Sequence, residues 1–144
     1  MKRFVRCIFV FFLALVFTAG LVAAQEVKTL VEQGIENSQE GRYDQALNDF
    51  NAALKLKPND PLLITYRGVV YYAKGQNDLA MKDFNRAIEI DPKCGKAYYQ
   101  RGMIYENQEK YAQAVPELKK AKSLGYAVDP VFIEGLEKKE AAKK

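Results

Sequence analysis

Nucleophilic, acid-base or metal chemistry in this chain would have to come from two thiols, Cys7 and Cys94, together with carboxylates and lysines, because histidine is absent. Ser-His and Cys-His nucleophile pairs and imidazole bases are thereby excluded, and two cysteines without histidine cannot build a zinc site. Cys94, flanked by Lys93 and by Gly95-Lys96 ahead of a helix start, has surroundings that favour a thiolate. In an oxidising compartment a lone thiol there suggests an intermolecular disulfide, and an unpaired loop residue is the competing reading. Among the acids, Asp44 and Asp49 recur as Asp78 and Asp83 at a fixed spacing. Recurrence in successive units argues for capping or solvated pairing; a catalytic pair would be needed once. No Gly-rich phosphate loop or calcium-loop spacing occurs. The expectation is a protein with no catalytic residue, metal or cofactor, whose work is binding.

The elements that position these residues begin with residues 1–24. A basic start (Lys2, Arg3, Arg6) precedes an apolar run from Cys7 to Phe17 and a small-residue end, Val22-Ala23-Ala24, which is the pattern of an export signal cleaved before Gln25. The alternative is an uncleaved anchor, since the charge-free run from Cys7 to Ala24 is at the lower end of the roughly 17 to 25 residues that span a bilayer. No acidic residue precedes Glu26, so three of the 22 basic residues fall in this segment and leave 19 against 18 acidic ones. The remaining 120 residues are thus nearly neutral, with no support for a nucleic-acid surface. Localisation is expected to be periplasmic or secreted, and the lack of an Asn-x-Ser/Thr sequon suits a bacterial envelope.

Beyond that segment the chain repeats itself with a 34-residue offset. Gly34, Gly41, Asp44, Ala46, Asp49, Phe50, Asn51, Ala53 and Pro58 return as Gly68, Gly75, Asp78, Ala80, Asp83, Phe84, Asn85, Ala87 and Pro92. A third copy continues with Gly102, Tyr105, Ala114, Leu118 and Ala121, giving units 27–60, 61–94 and 95–128. Each unit reads as two helices, A and B, joined by a turn. In the second, Pro61 opens helix A, Gly75-Gln76-Asn77 breaks it, and Asp78 is placed to cap helix B. Gly68 and Ala80 allow close approach of two helix axes, with Tyr71, Phe84 and Ala87 filling the seam. Pro116 falls near the start of the third helix B and predicts a local adjustment without a break. Asp129-Pro130 restarts a helix whose Phe132, Ile133 and Leu136 would cap the stack, so 129–144 is a closing helix and tail.

The second unit, with Ile64, Gly68, Tyr71, Ala80, Phe84, Ala87 and Pro92, resembles the tetratricopeptide repeat (TPR) in seven of its eight signature positions, with Arg67 replacing a Leu. The first unit departs at Gln33 and Asn37, the third at Arg101 and Tyr126. The resemblance implies an all-α, right-handed superhelix of three helix-turn-helix repeats closed by a capping helix, with the A helices inside. It also implies a concave groove formed by repeat positions 2, 5, 9 and 12. Those positions hold Lys28, Leu62 and Lys96; Val31, Thr65 and Tyr99; Ile35, Val69 and Met103; and Ser38, Tyr72 and Glu106.

A wall with Ile35, Val69, Tyr72, Tyr99 and Met103 together is more apolar than a surface meeting only water requires, and its aromatic and Met residues suit a protein or peptide partner. The competing readings are packing on the next helix and carriage of an apolar small molecule. Relatives that clamp C-terminal carboxylates use Lys, Asn, Asn, Lys and Arg where this chain has Val31, Ile35, Tyr66, Lys96 and Gln100, so only Lys96 matches. Arg67 and Arg101, one turn from Tyr71 and Tyr105, are read as stems lying along the seam with heads in water or paired to an acid. Tyr66 is read as seam filling.

Overall fold

A computed structural model describes the backbone of residues 2–143 and the side chains of residues 20–143. The chain forms α1 (Lys2–Gln39), α2 (Tyr43–Leu56), α3 (Pro61–Ala73), α4 (Asn77–Ile90), α5 (Gly95–Asn107), α6 (Tyr111–Ser123) and α7 (Pro130–Ala141), with no strand among the described residues. The pairs α1/α2, α3/α4 and α5/α6 are antiparallel hairpins, and each second helix packs on the first helix of the next pair, with α6 passing to α7. The first helices also touch one another, α1 with α3 and α3 with α5, so they form the inner layer.

Hydrophobic burial at helical spacing assembles each hairpin. Ala46, Phe50 and Ala53 on α2, Ala80, Phe84 and Ala87 on α4, and Ala114, Leu118 and Ala121 on α6 are fully buried. The glycines opposite them set the helix separation. A Cβ at Gly34 would lie 2.8 Å from Phe50 Cζ, one at Gly68 2.6 Å from Phe84 Cε1, and one at Gly102 3.0 Å from Leu118 Cδ2. Only hydrogen fits these positions without displacing a buried side chain.

The turns inside the hairpins share a backbone closure. Gln76 N–H donates to the Tyr71 carbonyl (2.9 Å) and Gly75 N–H to that of Tyr72 (2.9 Å), with Gly75 at φ +74. This two-bond closure of a helix C-terminus needs a left-handed residue, which glycine supplies without a steric penalty. It also corrects the expected cap. The chain leaves the left-handed residue straight into α4, Ala80 N–H bonding the Gln76 carbonyl at 3.1 Å, so Gln76 is the N-cap residue without a side-chain bond. Asp78 lies within the first turn of α4, exposed. Side-chain caps occur where a looser linker enters: Asp60 Oδ1 accepts from Leu62 (3.0 Å) and Leu63 N–H (3.2 Å), and Asp129 Oδ1 from Val131 N–H (2.9 Å). Pro61 and Pro130 then occupy the first helical positions. α6 continues through Pro116.

α7 closes the stack by burying Ile133 and Leu136, with Val128, against Ala114, Val115, Leu118 and Ala121. At the other end, most of the proposed export segment lies outside the residues whose side chains are described. Within Gly20–Ala24, Leu21 and Val22 are exposed, and packing of α1 on the stack starts at Val27. Among residues 20–143, whose side chains are described, no helix is long and apolar enough to cross a membrane.

Candidate functional site: the concave wall of the first helices

Two interlocking networks stiffen the stack behind the groove. The Arg67 guanidinium donates from Nε to Asp83 Oδ2 and from Nη2 to Asp83 Oδ1, both at 2.8 Å, while Nη1 donates to Asn51 Oδ1 at 2.9 Å. One side chain thus ties α3 to its hairpin partner α4 and to α2 of the preceding pair. Arg101 repeats the arrangement with Glu117 (2.9 and 2.8 Å) and Asn85 (2.7 Å). The reading of these arginines as paired to acids holds, and the recurrence of Asp83 and Asn51/Asn85 has the scaffold role expected of a periodic feature. A fork of parallel N–H groups matches a carboxylate edge, which is why Arg succeeds here. The Asp83 hydrogen bond holds the Arg67 pKa above its ordinary value, against burial, which lowers it.

The groove positions separate into three groups. Ile35, Val69 and Lys96 converge with Ser38, Gln39, Phe50, Tyr66 and Val70 around a cavity of about 310 Å³. The Tyr66 ring stacks on Phe50 (centroids 5.6 Å, interplanar 9°), and the Lys96 ammonium sits 3.8 Å from the Tyr66 centroid. A cation over an aromatic face is attracted by the ring quadrupole, so this contact orients Lys96 at the cavity margin. Tyr66 and Phe50 line this cavity, although sequence reasoning assigns them to the seam. Phe50 is indeed fully buried, and only the stacking partner and the lysine from the next repeat show that this seam opens into the groove.

A second group lines the groove away from the cavity. Tyr72 accepts a hydrogen bond at its hydroxyl from the Asn107 amide. Burial, then the nearby Glu106 charge, raise the Tyr72 pKa and so favour the neutral phenol. Glu106 and Met103 are half-buried, Met103 against the α6/α7 core. Tyr99 packs on Tyr126 with centroids 4.9 Å apart. Leu62 is exposed on an edge cleft of about 560 Å³ that Lys96, Leu124 and Tyr126 also line.

The third group corrects the sequence reading. Thr65 is fully buried; its hydroxyl donates to the Pro61 carbonyl at 2.7 Å and lies 3.7 Å from Cys94 Sγ. Val31, half-buried like Ile35 and Val69, packs on the core of Val27, Ala53 and Leu63 and is not part of this correction. Cys94, expected as an accessible thiol for an intermolecular bond, is 5% exposed and packs with Ile64, Ala87 and Ala97. The turn before α5 closes through Cys94 N–H to the Asp91 carbonyl (3.0 Å) and tucks the thiol under α3. A disulfide to another chain would require that turn to open.

The hairpin stack, its closing helix and its repeated glycine seam make this an α-helical repeat protein, and it belongs to the tetratricopeptide repeat family. The TPR repeat profile matches residues 38–75 and 68–109, and a second tetratricopeptide repeat profile matches 95–124. The fold is that of solved TPR domains. The first TPR of Spaghetti (RPAP3) bound to the HSP90 peptide SRMEEVD superposes with a TM-score of 0.69 at 24% identity, covering 82% of this chain and 93% of that one. The TPR2B domain of yeast Sti1, in a pHsp70 complex, gives 0.70 at 20% identity, covering 83% and 99%. The Sgt2 TPR domain from Aspergillus fumigatus gives 0.69 at 25%, covering 81% and 78%. No curated protein sequence matches the chain.

Proposed function

We propose that the protein is a non-enzymatic adaptor of the bacterial cell envelope that holds an extended segment of a protein partner against the concave wall. The observation that carries this is the cavity between α1, α3 and α5, apolar at Ile35, Val69 and Tyr66 and bordered by Lys96. Two solved domains of the same fold are complexes with an HSP90 peptide and with pHsp70, which supports a peptide occupant. Their ligands do not transfer to this chain, where Val31, Ile35, Tyr66 and Gln100 stand at four of the five carboxylate-clamp places. The cavity, about 310 Å³, is at the small end of the roughly 300 to 1,000 Å³ of ligand pockets and suits one bulky side chain better than a lipid. Export rests on the signal pattern of residues 1–24. The exposure of Leu21 and Val22 supports it, since removal through Ala24 takes no side chain from the core that begins at Val27.

A photocrosslinking residue placed at Val69 in cells should yield discrete adducts, whereas the same residue at Lys82 on the outer face should yield none. Equal labelling from both places would reject the concave assignment. N-terminal sequencing of the recovered protein should begin at Gln25, and a full-length chain resistant to alkaline extraction would establish the anchor.

A further inference from the structure

α5 carries two charges on its concave face that oppose its own dipole. Lys96 stands in its first turn and Glu106 in its last, while no acid occupies the first turn and no base the last. Free N–H groups at the start of a helix favour an anion, and free carbonyls at its end favour a cation. Both side chains are half-buried, and among the described residues neither has an ion-pair partner. Lys96 has only the Tyr66 ring face, 3.8 Å away. Glu106 faces the neutral Tyr72 phenol, whose hydroxyl is already engaged by Asn107. The other part-buried charges that tie the hairpins together are matched, Arg67 by Asp83 and Arg101 by Glu117. Two half-buried charges on one helix face, each opposed to the helix end that carries it and neither ion-paired, mark a site whose complement comes from outside.

The geometry defines that complement. At 100° and 1.5 Å per residue, Lys96 and Glu106 lie about 80° apart around α5 and about 15 Å apart along it. Extended chain covers that distance in about four to five residues. The apolar cavity opens beside Lys96, between the inner helices.

We propose that the groove reads a bipolar segment of its partner: an extended stretch with one acidic and one basic side chain about four to five residues apart, flanking a bulky apolar one. The acid meets Lys96, and the base meets Glu106. The apolar side chain enters the cavity lined by Ile35, Tyr66 and Val69. This rests on the peptide-binding reading above and adds to it the charge order of the ligand.

The test uses protein recovered from cells and a library of peptides of about eight residues, acetylated and amidated so that no terminal charge contributes. Each has a central Leu flanked by Glu and Lys in one order or the other, by two Glu, or by two Lys. One mixed order should bind at least about tenfold tighter than the other sets. The double variant K96E/E106K should reverse the preferred order, and Glu106→Lys alone should shift preference to the two-Glu set. Both changes bring α5 into accord with its dipole, so an undiminished melting temperature verifies the fold. Binding without order preference, or a double variant that keeps the wild-type preference, overturns the proposal. If Val69→Asp abolishes all binding while the charge variants change nothing, the groove holds peptides without reading their charges, and only this inference falls. If Val69→Asp leaves peptide binding untouched, the peptide reading falls with it.

Discussion

The second and third hairpins solve the same packing problem with different atoms. In α3/α4 a glycine faces a Phe ring (Gly68, Phe84); in α5/α6 it faces a Leu (Gly102, Leu118). Arg67 grips Asp83, and Arg101 grips Glu117. The turn of the second hairpin uses Gly75 at φ +74, whereas the third puts Glu109 at φ +54 and retains the same backbone closure, Lys110 N–H to the Tyr105 carbonyl at 2.9 Å. Where the second ends at Pro92, the third places Tyr126, which packs against Tyr99 with the rings tilted. The relation between positions is thus conserved within the molecule while its chemistry varies. The variation collects beside α7, and the tail after that helix contacts the altered turn: Lys143 Nζ bonds both the Glu109 carbonyl (3.2 Å) and its carboxylate (2.8 Å).

Removing the arginines should break this parallel most sharply. The Asp83 side chain is 9% exposed and that of Glu117 18%, so the second hairpin has the harder charge to abandon. Arg67→Ala should cost about 3 kcal/mol, because a nearly buried carboxylate loses its counter-charge. Arg101→Ala should cost about 1 to 2 kcal/mol, as water reaches its partner. Urea melting of both variants checks the order, and equal losses would refute the burial argument. Replacing both members, as in R67M/D83L, should recover most of the loss by removing the stranded charge.

The glycine seam should show a smaller difference of the same sign. Alanine gains about 1 kcal/mol over glycine in a helix interior. At Gly68 that gain is outweighed by overpacking against an immobile ring at 2.6 Å, for a net loss of about 2 kcal/mol. At Gly102 the Leu118 methyl at 3.0 Å can move, and the two effects should nearly cancel. A Gly102→Ala variant as damaged as Gly68→Ala would show that the third seam is as rigid as the second. The smallest change is expected at the turn, where Glu109→Gly should raise Tm slightly by relieving the left-handed strain, although the Lys143 carboxylate contact is lost. A fall in Tm would show that this contact stabilises the turn by more than the strain costs it.

Much of the groove is legible without the fold, and the part that is not is physically coherent. Ile35, Val69 and Lys96 reach the cavity from repeat positions that resemblance to the family puts on the inner face. Thr65 occupies such a position too, yet the turn carrying Cys94 covers it. Tyr66 reads as filler because its own repeat accounts for it, and only a lysine from the next repeat makes it part of a site.

The amino-acid sequence alone specifies what depends on neighbours within one hairpin: where helices start at Pro61 and Pro130, where Gly41 and Gly75 turn them, and which small residues face Phe50 and Phe84. These follow from helical periodicity and from steric exclusion, and both repeat in register along the chain. Contacts that cross from one hairpin to another are settled by the folded stack. Arg67 takes Asn51 as well as Asp83, Cys94 sinks beneath Thr65, and Lys96 lies over Tyr66. Their partners depend on how far each hairpin rotates against the one before it. That angle is set by the summed packing of several buried side chains, so no single residue or spacing encodes it.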